Sequence, residues 1–137
     1  MAVDLPGEMN VIAISEPGGP DVLQAERRTV PQPGAGEVLV RVSHAGVNRP
    51  DCLQRAGSYP PPKGASDLPG LEASGVVETV GPGVSNLLPG QLVSIYGART
   101  CGLCRPCREG RDNLCEHVSG VHGFHLDGFA QEKINLP

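Results

Sequence analysis

Four of the chain's five cysteines fall within one fifteen-residue stretch, CGLCRPCREGRDNLC from Cys101 to Cys115, spaced Cys-x2-Cys-x2-Cys-x7-Cys. Thiolates packed this densely can surround one tetrahedral Zn²⁺ and leave no coordination position for water, as in a closed structural site. Cys101, Cys104, Cys107 and Cys115 are therefore the predicted ligands of one structural zinc per chain. Four thiolates outweigh a dication, so the unit is net negative. Arg99, Arg105, Arg108 and Arg111 lie beside it and are expected to donate to the sulfurs or offset that charge. Such a lobe holds shape rather than doing chemistry.

The rival readings of the quartet are disulfides and an iron–sulfur cluster. The opening run MAVDLPGEMN has neither a basic n-region nor an apolar h-region, so no signal points to an oxidising compartment and a cytoplasmic location is expected. A ferredoxin run would continue x3-Cys-Pro, whereas here seven residues intervene and Glu116 follows the last cysteine. A nucleic-acid-binding zinc module fits poorly with a net charge of −4 and one short Arg cluster. No apolar stretch approaches membrane-spanning length. Zinc is the expected metal, with no nucleic-acid or membrane partner.

The rest of the 137 residues reads as one domain of short strands. Gly (19) and Pro (14) punctuate Val-rich runs, and with only two Phe, two Tyr and no Trp the core must be mainly aliphatic. The pattern predicts strands at 9–15, 22–30, 37–45, 75–81, 91–96 and 128–135, the last anchored by Phe129. In the clearest of them Val38, Val40 and Val42 share one face while Arg41 and Ser43 share the other, with His44 also on a polar face. Asn48-Arg49-Pro50 reads as a helix entry, with Asn at the N-cap, Pro in the first turn and Asp51 near the positive end of the dipole. That helix should end by Gly57, and 58–70 should be a rigid Pro-rich loop. Many strands and one short helix make a mainly β fold, a small barrel or sandwich.

The residues also carry a resemblance. The run AGVNRPDCLQRAGSYPPPKGASDLPGLEASGVVETVGPGV places 9–93 close to the zinc-free quinone oxidoreductases, and the cysteine lobe followed by DGFAQEKINLP places 94–137 close to zinc-containing alcohol dehydrogenases. Both are branches of the medium-chain dehydrogenase/reductase superfamily, and the chain resembles its N-terminal GroES-like domain. The resemblance implies a partly open GroES-like barrel with frame 1–93, a loop 94–127 containing the zinc lobe, and a returning strand 128–137.

Resemblance to the alcohol dehydrogenases would imply a second, catalytic zinc acting as a Lewis acid. The matching positions here are Asn48, where a Cys is expected, and Leu71, in Gly70-Leu71-Glu72, where a His is expected. An amide oxygen is a poor zinc ligand and Leu is none, so no catalytic zinc is expected. Resemblance to quinone oxidoreductases implies instead hydride transfer from NAD(P)H to a quinone, enone or other carbonyl substrate. By that resemblance Asn48 and Tyr59 are the catalytic candidates. Asn48 is also the cofactor-binding candidate, able to hydrogen-bond nicotinamide or substrate oxygen, and the Tyr59 hydroxyl could polarise a carbonyl. An N-cap role for Asn48 and a half-exposed loop position for Tyr59 compete with these roles. Asp51 is expected to be structural, Glu72 to satisfy backbone donors, Cys52 to be a buried small hydrophobe, and His117, His122 and His125 to be surface residues.

No Gly-x-Gly-x-x-Gly run occurs: Gly34-x-Gly36 is followed by Leu39 and Gly81-x-Gly83 by Asn86 where the third Gly belongs. A Rossmann domain is therefore absent from this sequence, and NAD(P)H binding is expected only in a full-length relative. Two readings follow. The chain is the substrate-side domain of an NAD(P)H-dependent oxidoreductase, inactive alone; or it is a freestanding zinc-stabilised β module that binds without catalysing. The resemblance also implies missing barrel strands, hence open edges through which the chain could self-associate.

Overall fold

A computed structural model describes residues 7–137; residues 1–6, most of the stretch read for a leader, lie outside the described residues. The first element is an antiparallel hairpin of β1 (Glu8–Ile14) and β2 (Leu23–Thr29), in register from Glu8 opposite Thr29 to Ile14 opposite Leu23. Strand β1 alternates cleanly, with Met9, Val11 and Ala13 buried and their neighbours turned outward. A single 3-10 turn, Pro20–Val22, follows Pro17-Gly18-Gly19 and reverses the chain.

The main sheet is antiparallel and four-stranded, ordered β5 (Leu92–Ile95), β4 (Ala73–Val80), β3 (Val38–Ala45), β8 (Lys133–Leu136). Helix α1 (Arg49–Ala56) connects β3 toward β4, and it ends where Gly57, at φ +81°, takes the left-handed cap conformation. The small ribbon of β6 (Ala98–Arg99) and β7 (Gly120–Val121) closes the base of the cysteine lobe. Within that lobe lies a second helix, α2 (Arg105–Arg108), one turn long, which the sequence pattern did not announce.

Strand β3 joins two cores. Val38 and Val40 pack with Ala73, Val77, Phe129, Ile134 and Leu136, while Leu39, on the opposite side, packs with Met9, Val11, Ala13, Val30 and Leu68. Leu39 was not among the expected core-face residues because a strand buried on both faces has no alternation to read. Phe129 is the one aromatic ring in either core, as expected.

The returning segment differs from its expected strand. Residues 128–132 are extended but pair elsewhere: Ala130 N–H donates to Pro69 O at 3.0 Å, Ile12 N–H to Ala130 O at 2.8 Å and Glu132 N–H to Asn10 O at 3.2 Å. A bridge between Val11 and Gln131 completes this stitch between hairpin and sheet; Glu132 O then accepts from Val42 N–H of β3 at 2.9 Å, and Lys133–Leu136 pairs with β3 in register. The sheets do not close, so the barrel is partly open, with β5 an edge and Leu92 largely exposed. The mainly β, GroES-like expectation holds.

Candidate functional site

The cysteine lobe is built by turns that aim backbone donors at sulfur. Gly102, at φ +67°, turns the chain after Cys101, so that Leu103 N–H (3.4 Å) and Cys104 N–H (3.3 Å) both donate to Cys101 Sγ. Cys115 Sγ accepts from Cys101 N–H and His117 N–H, each at 3.3 Å. Cys104 is the N-cap of α2, which carries Cys107, and Cys115 closes the 3-10 turn Asp112–Leu114. Such N–H···S contacts favour the thiolate, and those from Leu103 and Cys104 draw Cys101 down to about 6.

All four Sγ atoms lie within 4.8 Å of one another, with Cys104 at 3.4 Å from Cys107 and 4.0 Å from Cys115. A tetrahedron with Zn–S arms of ~2.3 Å has edges of ~3.8 Å, so the quartet fits one zinc ion. All four cysteines are free thiols rather than paired in disulfides. Among the described residues no arginine side chain donates to a sulfur. Arg105 and Arg111 both pair with Glu109 and not with sulfur. The Arg99 side chain has neither a hydrogen bond nor an ion pair among the described residues, and its Nε is buried.

Asn48 stands at the N-cap of α1 as expected, and its backbone N–H donates to Asp51 Oδ2 at 2.7 Å. Asp51 is buried and structural: its other oxygen accepts from Gly70 N–H at 3.1 Å. Gly70, at φ +109°, sits so close to the returning segment that a Cβ there would come within 2.8 Å of Phe129 N. Glu72 does not serve backbone donors with its carboxylate; Oε1 accepts from Asn48 Nδ2 at 3.0 Å.

Two positions where the resemblance implies ligands of a second zinc are among the described residues. Asn48 presents an amide already donating to Glu72, Leu71 is aliphatic, and the described residues contain no metal-sized group of His, Cys, Asp or Glu besides the quartet.

Tyr59 is half exposed and stacks on Phe124 with ring centroids 4.6 Å apart, while Phe124 meets His125 edge-on at 4.9 Å. Asn48 and Tyr59 are not linked by any hydrogen bond among the described residues. Cys52 is exposed, contrary to expectation, and lines an apolar cavity of about 270 Å³ between α1 and the hairpin. His117 is exposed. His122 is not a surface residue. It is buried against Phe129, its Nδ1 lies 2.7 Å from Asp127 O, and burial pushes its pKa below the usual range. No spacing signal marks it, because its burial depends on the chain folding back to pack Phe129 against its ring.

The match to known proteins covers most of this geometry. The family described as "Alcohol dehydrogenase GroES-like domain" matches residues 34–137. The chain belongs to that family. This GroES-like domain is 36% identical over 125 residues to an alcohol dehydrogenase of Rhizobium meliloti, covering 90% of the chain and 36% of the relative. It superposes on the cobalt- and zinc-bound thermostable alcohol dehydrogenase of Pyrobaculum aerophilum with TM-score 0.82 at 38% identity, covering 95% of the chain and 39% of that structure. The acetophenone reductase of Geotrichum candidum in complex with NAD gives TM-score 0.79 at 30% identity, covering 97% and 39%. The domain thus spans about a third of the length of the relatives it matches. These relatives place it in the medium-chain dehydrogenase/reductase superfamily. Alcohol dehydrogenases align through most of the 9–93 frame as well, where the sequence resembled quinone oxidoreductases.

Proposed function

We propose that the chain is the substrate-side domain of an NAD(P)H-dependent oxidoreductase, stabilised by one structural zinc on Cys101, Cys104, Cys107 and Cys115, and inactive as the isolated chain. The observation that carries the reading is the pairing of Asn48 with Glu72, beside Leu71, at the positions where the resemblance to alcohol dehydrogenases implies zinc ligands. With no Lewis acid to hold there, carbonyl polarisation falls to hydrogen-bond donors. The nicotinamide supplies the hydride when a cofactor domain is present.

Glu72 takes one hydrogen of the Asn48 amide, fixes the amide plane and leaves the second N–H free for a substrate or nicotinamide oxygen. Tyr59, held by Phe124 on a Pro-rich loop, offers a hydroxyl to the same class of substrate, a quinone, enone or simple carbonyl. The NAD complex of acetophenone reductase supports a nicotinamide partner, and the cobalt- and zinc-bound Pyrobaculum structure supports zinc as a metal of this family. The exposed edge strand β5 supports self-association of the isolated chain.

Mixing purified chain with NADPH and a soluble quinone, and following nicotinamide absorbance, tests the reading. No turnover by the chain alone is expected, and turnover once a cofactor domain is fused after Pro137. Turnover by the lone chain overturns the claim of inactivity. A fused protein that stays inert, yet binds one zinc, favours the alternative of a zinc-stabilised binding module. Metal analysis should return one zinc per chain; two would restore a catalytic ion.

A further inference from the structure

Arg99 is half-buried, and its side chain has no hydrogen bond or ion pair among the described residues. The other half-buried or buried Lys and Arg side chains each have a partner: Arg28 meets Glu26 and Asp67, Arg55 donates to Gly18 O, and Lys133 meets Glu78. The Arg99 Nε is buried without a hydrogen-bond partner, and a buried donor left unpaired favours any ligand that can accept from it. Arg99 lines a cavity of about 420 Å³ with Ser66, His122, His125, Asp127 and Asn135. That volume lies within the ~300–1,000 Å³ range of small-molecule sites.

The wall chemistry narrows the occupant. Asp127 accepts from Ser66 Oγ at 2.5 Å and makes no ion pair with Arg99, so the cavity holds one unpaired cation and one carboxylate already hydrogen-bonded. A dianion such as phosphate would meet Asp127 with only one guanidinium to offset it, whereas a monoanionic carboxylate matches one guanidinium's forked donors. His122 directs Nδ1 to the Asp127 carbonyl, which makes that nitrogen the N–H donor and leaves Nε2 an acceptor. Asn135 donates its Nδ2 to Gln32 O at 2.7 Å and has an unpartnered Oδ1. Two acceptors near one cation suit a carboxylate that carries its own donor.

We propose that this cavity, separate from Asn48 and the cysteine quartet, binds a small hydroxycarboxylate, its carboxylate on Arg99 and its hydroxyl donating toward His122 or Asn135. The site does not depend on the reductase reading and would exist in a binding module equally.

The test uses the zinc-loaded chain, titrated with sodium lactate, sodium acetate and inorganic phosphate at constant ionic strength, and followed by calorimetry and by the imidazole resonances of His122 and His125. Lactate should saturate and move both imidazoles, acetate should bind several-fold more weakly, and phosphate weaker still. Arg99→Gln should weaken lactate at least tenfold, while Arg108→Gln, on the exposed side of the lobe, should leave it unchanged. Should Arg99→Gln fail to fold, Asn135→Asp puts a second carboxylate on the wall and should weaken lactate by a similar factor. No saturable lactate binding, equal affinity for phosphate, or indifference to Arg99→Gln in a folded variant overturns the proposal.

Discussion

The β frame and the cysteine lobe are held by different physics. In the frame, two apolar clusters bury thirteen side chains, and strand β3 ties one cluster to the other. Between Ala98 and Val121 no apolar side chain is buried, while Leu103, Leu114 and Val118 are exposed. The lobe has one helical turn, one 3-10 turn and a two-residue ribbon, elements too short to persist alone. What the lobe does have is four sulfurs converging, with four backbone N–H donors aimed at two of them. Hydrophobic burial organises one region, and a convergence of thiols able to hold a metal organises the other.

Metal removal should break that contrast open with the largest effect. Structural zinc binding in small peptides is worth roughly 10–16 kcal/mol at neutral pH, comparable to the ~5–15 kcal/mol stability of a whole domain. Chelation, or Cys104→Ser, should therefore melt residues 98–121 outright, read as loss of amide protection and of peak dispersion there. Amides of β3 and β4 should keep most of theirs. Should the frame unfold with the lobe, the two regions form one cooperative unit and the division fails.

The reciprocal change acts on the frame. Phe129 is fully buried among Val38, Val40, Val77 and Ile134, and Phe129→Ala should cost about 3–5 kcal/mol of stability in urea unfolding. Zinc stoichiometry should remain one per folded chain. A folded Phe129→Ala protein that has lost its metal would show the lobe leaning on the core after all.

Next in size is the buried ion pair. Lys133 Nζ reaches both Glu78 oxygens, at 2.7 and 2.6 Å, across the width of β3. Glu78→Gln would leave the Lys133 charge uncompensated at a cost of about 3 kcal/mol, and a second change, Lys133→Met, should recover most of it. Equal loss in the single and double variants would mean that the pair contributes packing rather than charge.

These same residues show how far the sequence could be read. Strands β1 to β5, helix α1 and the quartet were all legible because each is announced locally, by alternation, by flanking prolines as for β2, by an Asn-x-Pro-Asp cap or by cysteine spacing. Leu39, Cys52, His122 and the register of 128–132 were not, because each depends on what another part of the chain places nearby. Leu39 is buried only because the hairpin covers that side of β3. Residues 128–132 look like a strand and are extended, but they bond mainly to Asn10, Ile12 and Pro69, and reach the main sheet through Glu132 O, which accepts from Val42 N–H. The catalytic candidates were readable only through resemblance, and their geometry adds Glu72 as the partner that no spacing indicated.

The smallest effect is expected where the two regions meet. His122 follows β7 at the foot of the lobe and packs on Phe129 of the frame. Burial is the main cause lowering its pKa and the nearby Arg99 charge adds to it, while the Asp127 carbonyl and carboxylate oppose. A free histidine titrates near 6.5, so above that pH folded and unfolded chains both hold a neutral ring and the contribution is complete. As pH falls below 6.5 the unfolded chain takes up the proton first, and stability declines until the folded pKa is passed. The urea midpoint should therefore drop between pH 7.5 and 5.5 by more in the wild type than in His122→Asn, whose amide can keep a donor toward Asp127 O without titrating. Thiol protonation weakens zinc binding over the same interval in both proteins, so the difference between them isolates the imidazole. Parallel slopes would mean that His122 titrates alike folded and unfolded, and that the junction between coordination and burial is open to water.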